Sequence, residues 1–243
     1  MKTQQPPLEA LFSGVIGKEY ELLRLVCPAS TKMSELVGAE LGKNQSTTPL
    51  NVVELGGGTG ITTFALLANC QEIQILSIDS EPTMQVQAKT ALAQWVNEGK
   101  LNFCGDDALT ALKSLPSESV DVVATAYTLH NFLEDYRVEV IQEIFRVLKP
   151  QGRFINGDRY GLDDISEHTR LVQQEVSGYC KTFTELNRLD LLEHWVVHIL
   201  SDESENHLMR ETPALETLKQ AGFSDIALNH RIDVSALVTA VKA

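Results

Sequence analysis

Apolar residues along the chain fall into two alternating rhythms. Short runs such as "LNVVEL" (50–55), "IQILSID" (73–79), "LNFCGD" (101–106) and "SVDVVATAY" (119–127) are bounded by glycine, proline or polar clusters and read as strands. The fourth is almost continuously apolar, as a strand covered by helices on both faces must be. Between the runs lie helical patterns. One follows the first strand through Asn69. Another is "EPTMQVQAKTALAQWVNEG", with Pro82 in its first turn, and "YRVEVIQEIFRVL" places Val140, Ile141, Ile144, Phe145 and Leu148 on one side. "KPQGRFINGD" turns through Pro150 and Gly152 into a fifth strand. The alternation predicts an α/β fold, a doubly wound and mostly parallel sheet with ligands at the carboxyl ends of its strands.

The rhythm changes at both ends. Residues 1–45 read as an N-terminal helical cap segment, with helix-like spacing over 8–43 broken by Pro28, and "GKNQSTTP" leads into a core over 46–160. Residues 161–212 read as a helical, polar cap without strands. Over 213–243, "ALETLKQAGF" is a helix ending at Gly222, then "DIALNHRI" and "SALVTAVKA" are separated only by Asp233 and Val234. Those two strands predict an antiparallel hairpin at the sheet edge, for seven strands in all.

Composition narrows the partners. The net charge is −13 and the pI near 4.9, so the mean field repels a phosphate backbone and favours a small molecule over nucleic acid. "MKTQQPPLEALF" has no apolar stretch of a secretory leader, and no run approaches the ~20 residues of a membrane span. Cys27, Cys70, Cys104 and Cys180 are scattered without CxxC spacing, as reduced cytoplasmic thiols are. A cytoplasmic protein, monomeric or homodimeric, is the expectation.

The candidate chemistry starts at "NVVELGGGTGITT" (51–63). Glycines between a strand and a helix start let backbone approach a ligand. No lysine follows Gly60, so this is no phosphate-binding P-loop, and Ile61 and Thr63 lack the glycine that GxGxxG requires. What stands there is Glu54 followed by Gly56, Gly57, Gly58 and Gly60, and a carboxylate at the strand end suits a positively charged ligand group. Asp79 ends the second strand, where a carboxylate can accept both hydroxyls of a ribose. The alternative is a helix cap, a job Ser80 can also do.

This arrangement resembles motif I of the class I S-adenosylmethionine-dependent methyltransferases, over roughly 50–160 and the terminal hairpin. The resemblance implies a Rossmann-like methyltransferase fold, S-adenosyl-L-methionine as cofactor and a small-molecule methyl acceptor. It implies that Gly56, Gly57, Gly58 and Gly60 line the cofactor and that Glu54 bears on its amino-acid end through water or backbone. Asp79 with Ser80 would take the ribose, and Asp106 or Asp107 of "CGDDA" the adenine amino group. Ala126 ends the fourth strand beside the cofactor, and Tyr20 of "GKEYELL" would fold over it. "LKPQGRF" (148–154) resembles the family's LKPGG turn, with Gln151 where glycine is usual.

Methyl transfer needs a base only for a protonated acceptor. Candidates cluster after strands four and five: Tyr127, His130 and Asn131, then Asp158, Arg159 and Tyr160. His130 stands as general base or as packing neighbour. His194 and His198, at i and i+4, could hold zinc with a third ligand, but HExxH is lacking and their neighbours are apolar, so packing is expected and no metal. The stretch from "VSGYCKTF" to "LKQAGF" resembles carboxy-S-adenosylmethionine synthase, which acts on the cofactor with prephenate. On that resemblance Arg188 would hold a carboxylate; the bland alternative is an ion pair with Glu185 or Asp190. Asn187 replaces that family's lysine, and Gly57-Gly58-Thr59 its Gly-Cys-Ser loop. A noncatalytic cofactor-binding module is the third reading.

Overall fold

The computed structural model describes residues 25–43 and 48–243. Tyr20 and most of the first helical segment lie outside them. Seven strands form one sheet in the order β3-β2-β1-β4-β5-β7-β6. They are β1 Leu50–Leu55, β2 Ile73–Ile78, β3 Leu101–Cys104, β4 Val120–Ala126, β5 Leu148–Arg159, β6 Phe223–Ile232 and β7 Ser235–Lys242. The first five are parallel; β7 enters antiparallel between β5 and β6. The anticipated hairpin is present, with Asp233 at φ 51 in its two-residue turn.

Helices α1 Pro28–Gly42, α2 Ile61–Asn69, α3 Pro82–Ala91 and α4 Ala93–Asn97 follow in chain order, then α5 Ala108–Ser114, α6 Glu134–Val147, α7 Ile165–Glu185, α8 Leu189–Asp202 and α9 Glu211–Ala221. Two apolar cores flank the sheet. Leu112, Val140, Ile144 and Val147 pack on one face, and Val37, Leu41, Leu66 and Leu92 on the other. Helices α1 and α2 cross closely: a Cβ on Gly38 would lie 2.5 Å from the Ala65 carbonyl oxygen. A third cluster, Cys27, Tyr179, Phe183, Leu191, Trp195 and Ile199, is the interior of the helical cap. The cap therefore has its own core and is built across chain from both sides of the sheet domain.

Two elements depart from the sequence reading. The helix anticipated from Glu81 onward is two, α3 and α4, because Leu92 leaves helical geometry (φ −108, ψ 18) to bury its side chain under the glycine loop. Its N-cap is neither Asp79 nor Ser80 but Glu81, which accepts from the Thr83 N–H at 3.0 Å. No helix among the described residues is long and apolar enough to cross a membrane.

Candidate functional site

A cleft opens at the carboxyl ends of β1, β2, β3 and β4, with about 710 Å³ of space between atoms, its mouth included. Gly56, Gly58, Asp79, Ser80, Asp106, Ala126 and Tyr127 line it, as the sequence suggested. Ile78, Met84, Ala108 and Phe132 add apolar walls, with Glu81, Thr128 and Asn131 between them. Single apolar residues at a strand end or in the turns and helices that follow give no sequence signal that sets them apart from core.

The five-residue glycine loop divides by task. Gly58 has φ 53, and a Cβ there would meet nothing nearer than 3.9 Å, so its missing side chain is cleft space. Gly56 also lines the cleft, yet a Cβ would lie 2.1 Å from the Thr128 hydroxyl oxygen. Gly57 and Gly60 do not line it. A Cβ on Gly57 would sit 2.0 Å from Ser77 Oγ, and one on Gly60 2.8 Å from Leu92. They allow the loop to lie against its own core, which corrects their assignment as lining residues.

Asp79 is pinned by backbone. Its Oδ2 accepts from Gly58 N–H at 2.7 Å and its Oδ1 from Glu81 N–H at 2.8 Å. Burial raises its pKa against those bonds. Each oxygen keeps acceptor capacity toward the cleft. Glu54 is wholly buried behind the loop and does not line the cleft; Thr63 donates to its Oε2 at 2.6 Å. Burial pushes Glu54 up to about 7, the Thr63 and Ser77 hydroxyls notwithstanding. Of the two aspartates of "CGDDA", Asp106 is exposed on the cleft. Asp107 is not a lining residue: it caps α5, accepting from Thr110 N–H at 3.0 Å and Tyr136 Oη at 2.9 Å.

Deeper, under the cap, lies a buried polar nest. His130 follows β4 on a short 3₁₀ turn, 4% exposed, and its Nδ1 is 2.5 Å from Asp158 Oδ1 at the end of β5. Burial alone would raise Asp158, but His130 and the Leu129 and Arg159 N–H groups hold it below the usual range. Tyr127 stands edge-on to His130, ring centres 5.5 Å apart, and its hydroxyl is 2.5 Å from Ser235 Oγ. His130 does not line the cleft; Tyr127 does. Arg159 is buried beside them. Its guanidinium donates to both oxygens of Glu175 (2.8 and 3.0 Å) and to Glu203 (2.9 Å), and His168 meets the other Glu203 oxygen at 2.6 Å. Burial would favour a neutral Arg159, but Glu175 and Asp202 keep it charged.

Arg188 is not brought to this chamber. It pairs with Asp190 near the cap surface, Nε to Oδ1 2.9 Å and Nη2 to Oδ2 2.9 Å, the bland pairing weighed above. His194 and His198 do not share an environment either: α8 buries His198 and exposes His194. Glu175, Asp202 and Glu203 went unnoticed in the sequence, where acidic residues on an amphipathic helix read as a solvated face.

The comparisons with known proteins match this geometry. Residues 52–152, the glycine-loop half of the sheet, are similar to the family model described as a methyltransferase domain. Among curated relatives it is 35% identical, over 45% of its length, to a demethylmenaquinone methyltransferase of Leptospira interrogans, of which it covers 43%. It is 21% identical over 86% of its length to a carboxy-S-adenosyl-L-methionine synthase of Shewanella sediminis, covering 82% of it. The fold is shared with an O-methyltransferase family protein from Burkholderia thailandensis (TM-score 0.65, 16% identity, 94% of this chain and 60% of that one). The chain spans less than half the length of the first of these relatives.

Proposed function

We propose that the protein is an S-adenosylmethionine-dependent methyltransferase acting on a small-molecule acceptor bound under the helical cap. The observation that carries this reading is the pairing of cleft-facing Asp79 and Asp106, at the ends of β2 and β3, with the open position at Gly58. Asp79, fixed by two backbone N–H groups, suits two ribose hydroxyls, and Asp106 suits an adenine amino group packed between Met84, Ala108 and Phe132. Gly58 leaves room for the amino-acid end. Glu54 lends negative potential from below when ionised. The cofactor supplies an activated methyl group whose leaving sulfur needs no proton, so the chain's task is positioning and exclusion of water.

Tyr127 is the residue best placed to shape the passage from cleft to cap. It lines the cleft and is fixed by Ser235 and His130 behind it. His130 acts through Tyr127, not as a base at the cleft wall. Arg188, tied to Asp190, gives the carboxylating alternative no support, and Arg159, the β5 arginine buried in the nest, has its charge matched by Glu175 and Glu203. The acceptor we expect is uncharged or cationic, and the setting cytosolic. Monomer and homodimer are both compatible with this reading.

Calorimetric titration with S-adenosylhomocysteine tests the cleft. Incubation with methyl-labelled cofactor and a panel of quinol, phenol and amine acceptors tests the transfer. A parallel incubation with S-adenosylmethionine and prephenate, read by mass spectrometry, tests the rival. Absence of binding sinks the whole reading; a carboxylated cofactor replaces methyl transfer by the rival; binding without product on any acceptor favours a noncatalytic module.

A further inference from the structure

Beneath the cap, His130, His198 and Asp202 each bring one ligand atom within 4.8 Å of the others, all three side chains buried. His130 Nε2 lies 3.9 Å and His198 Nε2 3.6 Å from Asp202 Oδ2. We propose that these residues bind a divalent transition-metal ion of the zinc class, clipping cap helix α8 to the loop after β4.

Four observations converge on that site. First, the spacing is right. Zinc bonds of about 2.0–2.1 Å in tetrahedral array put neighbouring ligand atoms about 3.3 Å apart. The present distances need contraction by a few tenths of an ångström to about 1.5 Å, within reach of side-chain rotation. Second, the tautomer is set. Asp158 occupies His130 Nδ1 and is itself held by two backbone N–H groups, which leaves the Nε2 lone pair facing Asp202. A carboxylate behind a ligating imidazole is the arrangement that orients a metal-bound histidine.

Third, Asp202 Oδ1 is buried and makes no hydrogen bond among the described residues. A native structure rarely tolerates that without a counterpart. Fourth, charge is unbalanced. Asp158, Glu175, Asp202 and Glu203 surround the three ligands, against Arg159 among them and Arg137 beyond Asp158. A divalent ion offsets that excess. Two imidazoles and one carboxylate select a zinc-like ion over magnesium or calcium. His130 and Asp202 line a small enclosed space with Arg159, His168 and Glu203, separate from the glycine cleft, so the site stands or falls independently of the cofactor assignment.

The ion would join two parts that sequence leaves independent. His130 belongs to the sheet domain, while His198 and Asp202, one turn apart on α8, belong to the cap. Untagged protein, stripped with chelator and dialysed, is titrated with zinc chloride by calorimetry, and metal content is measured by mass spectrometry. The expected result is one ion per chain, a higher melting temperature, and slower amide exchange in α8. Asp202→Asn and His198→Gln should each weaken zinc binding by at least 100-fold and abolish both effects. Their S-adenosylhomocysteine affinity and circular dichroism serve as checks on folding. His194→Ala, exposed on the same helix, should bind zinc as the parent does. No saturable zinc binding by the parent overturns the proposal. So does full stoichiometry in a folded Asp202→Asn, or loss in His194→Ala.

Discussion

Gln151 sits at φ 64, a left-handed conformation that costs a residue with a Cβ about 1–2 kcal/mol. The family's usual glycine at that turn has its reason here. Gln151→Gly is expected to raise stability by about 1 kcal/mol, moving the melting temperature up by about 2–4 °C in a scanning calorimeter. Among the loop glycines, Gly58→Ala should cost more than tenfold in S-adenosylhomocysteine affinity while the fold survives, because the methyl enters open cleft. Gly57→Ala should fail at folding, because its methyl meets Ser77. Equal affinity in Gly58→Ala and parent would refute this division. Glu54 gives a pH signature. Folded, it holds its proton up to about 7, against an ordinary value of 4.5. Its contribution to stability is complete below pH 4.5 and is lost as pH rises through 7, by about 3 kcal/mol. Urea titrations from pH 4.5 to 8 should show that decline in the parent and a flatter profile in Glu54→Gln; parallel profiles would mean that the buried carboxyl is already ionised. Legibility at this scale followed position along strands. Asp79, Asp106 and Gly58 end strands or open a helix, where the alternation itself marks them. Glu54 sits on the same strand end, but its depth is a matter of packing, which spacing does not record.

At the scale of elements, the cap depends on a single buried cation. Arg159 leaves β5 and reaches Glu175 on α7 and Glu203 just beyond α8, so one guanidinium fastens two cap helices to the sheet. Arg159→Met leaves those carboxylates buried together and is expected to cost about 3–5 kcal/mol. The loss should concentrate in the cap: hydrogen exchange should quicken across α7 and α8 and leave β1 to β4 unchanged. Uniform acceleration would show instead that cap and sheet unfold as one. The helices were visible in the chain as 3.6-residue periodicity, but the inward acids on them were not. Periodicity assigns polar residues to solvent, and here a second polar layer, buried His168 and Asp202 with half-buried Glu175 and Glu203, sits on the inner face of the cap. The break between α3 and α4 was hidden for a related reason. Leu92 fits a helical stripe, and only the crowding under Gly60 shows why the helix yields there.

For the molecule as a whole, the cleft and the cap are coupled through Tyr127, which touches both. A ligand that binds only the folded state stabilises it by RT ln(1 + [L]/Kd), about 2.7 kcal/mol at a hundredfold excess over Kd. S-adenosylhomocysteine at that excess should therefore raise the melting temperature by about 5–11 °C for a chain of this size. A shift confined to a separate cap transition, with the sheet unmoved, would place the ligand elsewhere. The seven strands and the closing hairpin were legible from alternation and the two-residue turn. The position of β7, however, is a tertiary fact: it inserts beside β5, pairing Arg153 with Val241 and Arg159 with Ser235. That insertion has a consequence on the ribosome. Roughly 75 residues separate Arg159 from its partner Ser235, about 4–15 s of translation at ordinary elongation speeds. Throughout that interval β5 has emerged with its outer backbone edge unpaired, a template for the wrong strand, while α7, α8 and α9 arrive first. Nascent chains stalled after Asp233 hold every residue of the glycine cleft, yet they should neither bind S-adenosylhomocysteine nor resist protease, whereas chains released beyond Lys242 should do both.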